Sequence, residues 1–180
     1  MTRVTFLLLK EIEICLRNLL IPNNKFGLFT YKIKTMSKEH YYDVSVEWAE
    51  GRKGTMKSEV LESTIEVATP PQFPNGIEGI WSPEHLFVAA VNSCLMTTFL
   101  AIAENFKLEY KSFTSNAIGK LEIVDGKYIM SEVILKPTVI IKNIDDKEKA
   151  IRVLQKSETA CLISNSVKSK IVLEPNVIAE

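Results

Sequence analysis

Ser82-Pro83-Glu84-His85-Leu86-Phe87-Val88-Ala89-Ala90-Val91-Asn92-Ser93-Cys94-Leu95-Met96-Thr97-Thr98-Phe99-Leu100 is the stretch whose reading decides the fold. Ser82 is a strong N-cap, Pro83 suits the first helical position, and Glu84 places negative charge in the first turn. A helix running to about Asn105 follows, with no formally charged residue from Leu86 to Ala103. That length meets the threshold for a membrane span. Asn92, Ser93, Thr97 and Thr98 cluster at mid-span, however, and strand patterns flank the segment on both sides, so no membrane is expected. A helix apolar all round in a soluble protein is buried all round. The expectation is a central helix wrapped by sheet and by a partner subunit.

Working outward, Tyr42, Val44, Val46 and Trp48 alternate with Asp43, Ser45 and Glu47, as a half-buried strand does. Glu50-Gly51-Arg52-Lys53-Gly54 is a glycine-flanked turn, Thr55 to Val60 the returning strand, and Ile65-Glu66-Val67 a third. Thr69-Pro70-Pro71-Gln72-Phe73-Pro74-Asn75-Gly76 reads as a loop that its prolines keep extended. After the helix, Tyr110 to Val124 and Lys127 to Lys142 are two long strand patterns, and Asp125-Gly126 between them signals a two-residue hairpin. Asp145-Asp146 caps a second helix with Ala150, Val153 and Leu154 as its apolar stripe. Cys161 falls at its end, and Lys170 to Glu174 is a last short strand. The order β-β-β-α-β-β-α-β, with antiparallel hairpins, is α+β.

The 180 residues are 46% hydrophobic and 24% charged, which suits one globular domain with a sizeable core. Net charge is zero, so nothing draws the chain to nucleic acid or to an anionic membrane surface. Three cysteines are too few for a secreted disulfide framework and fit a reducing cytoplasm. Residues 1–35 carry Arg3, Lys10, Arg17, Lys25, Lys32 and Lys34 against Glu11 and Glu13, a balance of +4 that leaves −4 for the remainder. Their apolar cluster Phe6-Leu7-Leu8-Leu9 is too soon interrupted by charge for a secretory signal or a span. The expectation is that Met36 opens the domain, residues 36–180, and that residues 1–35 are a non-native or disordered extension. The alternative is a loosely attached amphipathic helix, and the intact mass of the native protein separates the two.

Two thiols carry the chemical question. Free cysteine is among the most buried residue types, so an inert packing role stands for Cys94 and for Cys161. Against it, Asn92 and Ser93 make the helix polar beside Cys94, and a second cysteine waits at a comparable position. A thiol attacks only as thiolate. Cys94 is mid-helix and gains little from the helix dipole, so it needs a cation. A guanidinium stays charged when buried, and Arg52 lies in a turn able to reach inward. A buried guanidinium needs a carboxylate, and Glu84 is nearest in sequence. Ten helical residues separate Glu84 from Cys94, a rise of about 15 Å, so Glu84 is expected to serve a site built with another subunit. Cys161, at a helix C-terminus, suits a resolving thiol better than a first nucleophile. His85 reads as an N-terminal packing residue, His40 lies in a frayed end and Cys15 in the doubtful extension. Two histidines and dispersed cysteines offer no metal spacing, and no phosphate-cradling loop or nucleophile elbow occurs, so neither a metal nor a cofactor is expected.

These residues resemble the OsmC/Ohr family (osmotically inducible protein C-like, organic hydroperoxide resistance protein-like). The resemblance rests on Ser82-Pro83-Glu84-His85-Leu86 leading to Cys94, on Cys161-Leu162-Ile163-Ser164-Asn165-Ser166, and on Gly51-Arg52-Lys53-Gly54, and covers about residues 40–178. It implies an intertwined homodimer with two long helices back to back inside wrapped antiparallel sheets. It implies a thiol peroxidase that reduces organic hydroperoxides through a sulfenic acid and a disulfide, with an external dithiol as reductant. Carried over by motif, Cys94 matches the peroxidatic cysteine, Cys161 the resolving one, Arg52 the activating arginine and Glu84 its carboxylate partner. Leu162 departs from the proline often found after the second cysteine, and the long Pro70 to Trp81 loop marks a divergent subgroup. Both departures bear on the substrate rather than on the thiol chemistry. An apolar lining from Phe73, Trp81, Leu86 and Phe87 would favour an alkyl or lipid hydroperoxide. The rival readings are a non-catalytic module binding a small apolar ligand in a stress response, and a redox sensor with the same disulfide and no turnover.

Overall fold

The alternating N-terminal pattern becomes strand β1 (Ser45–Glu50), which turns through Gly51, at φ 48°, into β2 (Lys53–Lys57). β3 (Ile65–Ala68) adds to the far side of β2, giving a three-stranded antiparallel sheet in the order β1-β2-β3. The computed structural model describes residues 39–180; the expectation for residues 1–35 lies outside them. β1 is solvent-exposed along its whole length, Trp48 at 73%, so the apolar half of its alternation is left uncovered by the described residues.

The prolines after β3 do not hold the chain extended. Residues 70–76 fold into two consecutive turns, closed by Phe73 N–H to Pro70 O and Gly76 N–H to Phe73 O, both 3.0 Å. A proline's fixed φ suits the second residue of a turn as well as it suits extended chain, and Pro71 and Pro74 each follow the residue that opens a turn. The segment is tied back to the first sheet by Ile77 N–H to Thr69 O (3.0 Å) and Ala68 N–H to Trp81 O (2.9 Å).

Helix α1 (Pro83–Asn105) starts as its sequence dictates. Ser82 is extended, fully buried, and accepts the His85 N–H at 3.3 Å. In the single chain α1 buries one row, Val91, Leu95, Phe99 and Ala103, rather than its whole circumference. Met96 and Leu100, at 40% and 42%, lie exposed with Ala90, Ser93, Thr97 and Ala101. The buried row packs on β4 (Tyr110–Val124) and β5 (Lys127–Ile141), a long antiparallel hairpin. Its turn is the Asp125-Gly126 pair, at φ 50° and 75°, the two positive values that a type I′ turn requires. Inward residues alternate along β5 as Val133, Leu135, Pro137, Val139 and Ile141, all buried. Val91 and Leu95 meet Val133 and Leu135. Phe99 and Ala103 join Leu108, Val139, Ile141 and the second helix.

A short 3-10 turn over Ile144–Asp146, capped by Asn143, leads into α2 (Lys147–Ala160). The expected stripe of Ala150, Val153 and Leu154 is buried, with Ser157 continuing it. The tail supplies two strands rather than one. β6 (Lys170–Leu173) and β7 (Asn176–Ala179) pair one after the other along the free edge of β5, both in parallel, so the second sheet is mixed. β6 covers Glu132 to Leu135 and β7 covers Thr138 to Ile141. The break falls at Lys136-Pro137, where proline has no N–H to donate. The architecture is α+β, with two sheets and two main helices among the described residues.

Candidate functional site: two thiols at a helix end

Cys94 sits half-buried midway along α1, and Cys161 sits fully buried as the C-cap of α2, with extended φ −64° and ψ 117°. The shared core of α1, α2 and the long hairpin brings them together. Both thiols are free, and they lie close enough for each to shift the ionisation of the other. The Ile163 N–H donates to Cys94 Sγ at 3.5 Å, and the Thr98 hydroxyl lies 4.0 Å from the same sulfur, one helical turn on.

The two thiols are polarised in opposite directions. Burial alone would push the Cys94 thiol up. Hydrogen bonds from the Cys161 thiol, the Ile163 amide, the Thr98 hydroxyl and the Leu162 amide outweigh it and hold Cys94 below the ordinary cysteine range. Cys161 is pushed up, first by burial and then by Cys94 itself. No charged side chain of the described residues is among the groups acting on Cys94. The thiolate is favoured within one chain by neutral donors, two of them backbone amides. Neither Asn92 nor Ser93 touches the sulfur. Asn92 and Ser115 of β4 form a reciprocal pair, Asn92 Nδ2 to Ser115 O at 3.0 Å and Ser115 Oγ to Asn92 Oδ1 at 2.6 Å, and Ser93 Oγ returns to Ala90 O.

Arg52 and Glu84 belong to the other end of α1. Arg52 is exposed in the β1–β2 turn, forms no ion pair among the described residues, and lines one hollow with Val46, Trp48, Val67 and Pro83. Its carbonyl accepts the Thr69 N–H at 3.1 Å, which fixes the turn to the loop leading to α1. Glu84 lines a separate cavity of about 540 Å³ with Phe73, Val88, Ile118, Leu121 and Met130. Its Oε2 is buried without a hydrogen-bond partner among the described residues. His85 makes Nδ1···Ser82 Oγ at 2.9 Å and an edge contact with Trp81, as a packing residue does. Of the expected apolar lining, Phe73 reaches the Glu84 cavity, whereas Phe87 packs against the Val91, Leu95, Val133 and Leu135 cluster and Trp81 lies beside Ile65 and Ile80. Among the described residues no three His, Cys, Asp or Glu side chains converge as metal ligands would.

Sequence reasoning found both thiols and missed what surrounds them. Thr98 was within reach of the helical i, i+4 rule. The Leu162 and Ile163 amides carry no letter in the sequence. Their only signal was the turn-forming Ser164-Asn165-Ser166 that follows Cys161.

Comparison with known proteins shows the family and the fold. Residues 76–176 match the family described as OsmC-like protein. The uncharacterized protein YmaD of Bacillus subtilis (strain 168) is 24% identical over 141 residues, 76% of this chain and 92% of its own length. An OsmC-like protein of unknown function from Vibrio cholerae O1 biovar eltor has a similar structure, with TM-score 0.69 and 27% identity over 76% of this chain and 99% of that one. An organic hydroperoxide resistance protein of Elizabethkingia anophelis, solved with thiocyanate bound, shares the fold with TM-score 0.64 and 22% identity over 81% of this chain and 100% of that one.

Proposed function

The chain belongs to the OsmC-like protein family, and from that premise we propose that it is a cytoplasmic thiol peroxidase that reduces organic hydroperoxides through Cys94 and Cys161, with residues 36–180 as its single domain. The observation that carries the reading is a neighbouring pair of free thiols, Cys94 Sγ taking the Ile163 N–H at 3.5 Å, with opposite pKa directions. Inert packing requires neither the contact nor the difference. The Cys94 thiolate attacks the distal oxygen of the hydroperoxide, and the O–O bond breaks. The alkoxide leaves and takes a proton to become the alcohol, and Cys94 becomes a sulfenic acid. Cys161 then attacks that sulfur. The S–S bond forms, and hydroxide leaves as water with the proton of the Cys161 thiol. An external dithiol returns two electrons and two protons by thiol–disulfide exchange.

Arg52 and Glu84 enter this cycle as residues lent by one protomer of a homodimer to the thiols of the other. Three features support that assignment. Glu84 lies about 15 Å of helical rise from Cys94, and Arg52 shares a hollow with Pro83 at the same end of α1. Arg52 lacks an ion pair, and the buried Glu84 Oε2 lacks a partner, among the described residues. A guanidinium held by Glu84 would add fixed positive charge to the neutral donors already at Cys94 and would orient the peroxide.

One equivalent of cumene hydroperoxide followed by intact-mass and peptide analysis tests the proposal, with Cys94→Ser and Cys161→Ser as controls and a dithiol-coupled assay alongside. A Cys94–Cys161 disulfide with steady peroxide consumption is the expected result. A disulfide without turnover would make the protein a redox sensor. Unmodified thiols would sink both readings and leave a module that binds an apolar ligand.

A further inference from the structure

The turn after α2 is built in a way that bears directly on Cys94. A helix end leaves its last carbonyls without intrahelical partners, and the usual remedy is a left-handed glycine just beyond it. No glycine follows α2. Asn165 takes that role: its backbone N–H donates to Cys161 O at 3.1 Å, and its Nδ2 donates to Cys161 O at 3.0 Å and to Thr159 O at 2.9 Å. Ser166 Oγ donates to Leu162 O at 2.8 Å.

Each of these bonds fixes a peptide plane. In a trans peptide the carbonyl of one residue and the N–H of the next point in opposite directions. Holding Cys161 O on the Asn165 side turns the Leu162 N–H the other way, and holding Leu162 O with Ser166 does the same for the Ile163 N–H. The Ile163 N–H meets Cys94 Sγ at 3.5 Å, and the Leu162 amide acts on the same thiol in favour of the thiolate. We propose that Asn165 and Ser166 are positioning residues of the thiol site, each gripping the carbonyl of a peptide whose N–H serves as a thiolate donor to Cys94. The inference rests on Cys94 being the nucleophile but concerns only how its charge is held. The groups facing the sulfur from every packed element are the Cys161 thiol, the Thr98 hydroxyl and these two amides; none is a charged side chain.

The test needs no peroxide. In a Cys161→Ser background, which keeps an O–H donor beside Cys94, the thiolate is titrated by its ultraviolet absorbance in the parent and in Ser166→Ala, Asn165→Leu and Ser166→Thr. Ser166→Ala and Asn165→Leu are expected to raise the Cys94 midpoint, together by about one unit, a tenfold loss of thiolate below the midpoint. Ser166→Thr, which keeps the hydroxyl, is expected to titrate as the parent. The Ile163 amide resonance should move as Cys94 ionises in the parent and move less in Ser166→Ala. Unchanged midpoints in variants that melt like the parent would overturn the inference. Should Asn165→Leu fail to fold, the exposed Ser166 position decides alone. A shifted midpoint in a protein that consumes no hydroperoxide would sink the peroxidase reading and leave this inference standing. Turnover with unshifted midpoints would do the reverse.

Discussion

At the residue scale, the two thiols differ by environment rather than by type. Cys94 is held below the ordinary thiol range by hydrogen bonds, and Cys161 is held above it by burial and by its neighbour. As pH rises, Cys94 therefore ionises first and Cys161 follows only at higher pH. Iodoacetamide near neutral pH is expected to label Cys94 well ahead of Cys161, as read by peptide mass spectrometry across a pH series; labelling in the opposite order would remove the case for Cys94 as nucleophile. Cys161→Ser should stop the cycle at a sulfenic acid on Cys94 that dimedone traps, whereas Cys94→Ser should give no adduct. Both thiols were legible in the sequence because a cysteine is a letter. Their activators were not, because an amide N–H belongs to every residue but proline and only the path of the backbone selects which one meets a sulfur. The polar neighbours Asn92 and Ser93 misled for a related reason. Successive helical residues point about 100° apart, so adjacency to Cys94 in the chain is not contact with it.

At the element scale, helix α1 owes its place to one row of side chains and one polar lock. Phe99 is fully buried between the hairpin and α2, with ring contacts to Tyr110 and Phe113 at centroid distances of 5.2 and 4.7 Å. Phe99→Ala is expected to cost about 3–5 kcal/mol in urea unfolding. Asn92→Leu would strand the half-buried Ser115 hydroxyl and carbonyl and should cost about 1–3 kcal/mol; a change below about half a kcal/mol would mean that the pair is solvated rather than structural. The limits of α1, the long hairpin and its Asp-Gly turn were readable because capping, alternation and turn chemistry are local. β7 was not. Its pairing is made with Thr138 to Ile141, far away in sequence, and a run as short as Asn176–Ala179 carries too little pattern to announce it. The Pro70 to Gly76 segment was misread because proline favours turn and extended chain alike.

At the scale of the whole molecule, the exposed apolar surface has a simple explanation in a second copy. Met96 and Leu100 on α1 and the alternating residues of β1 are left bare by the described residues, and the homodimer proposed above would cover them. Sedimentation is expected to show a dimer, and Leu100→Glu a shift toward monomer with loss of turnover. If Arg52 serves the partner's thiols, mixing Cys94→Ser with Arg52→Ala protomers should restore activity to roughly a quarter of wild type, because half of the mixed dimers are hybrids and each hybrid holds one complete site. No restoration would confine Arg52 to its own chain. The nearness of Cys94 to Cys161 also has a mechanical consequence. A covalent tie between them would enclose the second half of α1, the hairpin and all of α2 in a closed ring of about 70 residues, shrinking the freedom of the denatured chain by an amount worth about 4 kcal/mol. An oxidant that takes its electrons from this protein would therefore leave it harder to melt, and the temperature at which it loses its shape would keep a record of its last encounter.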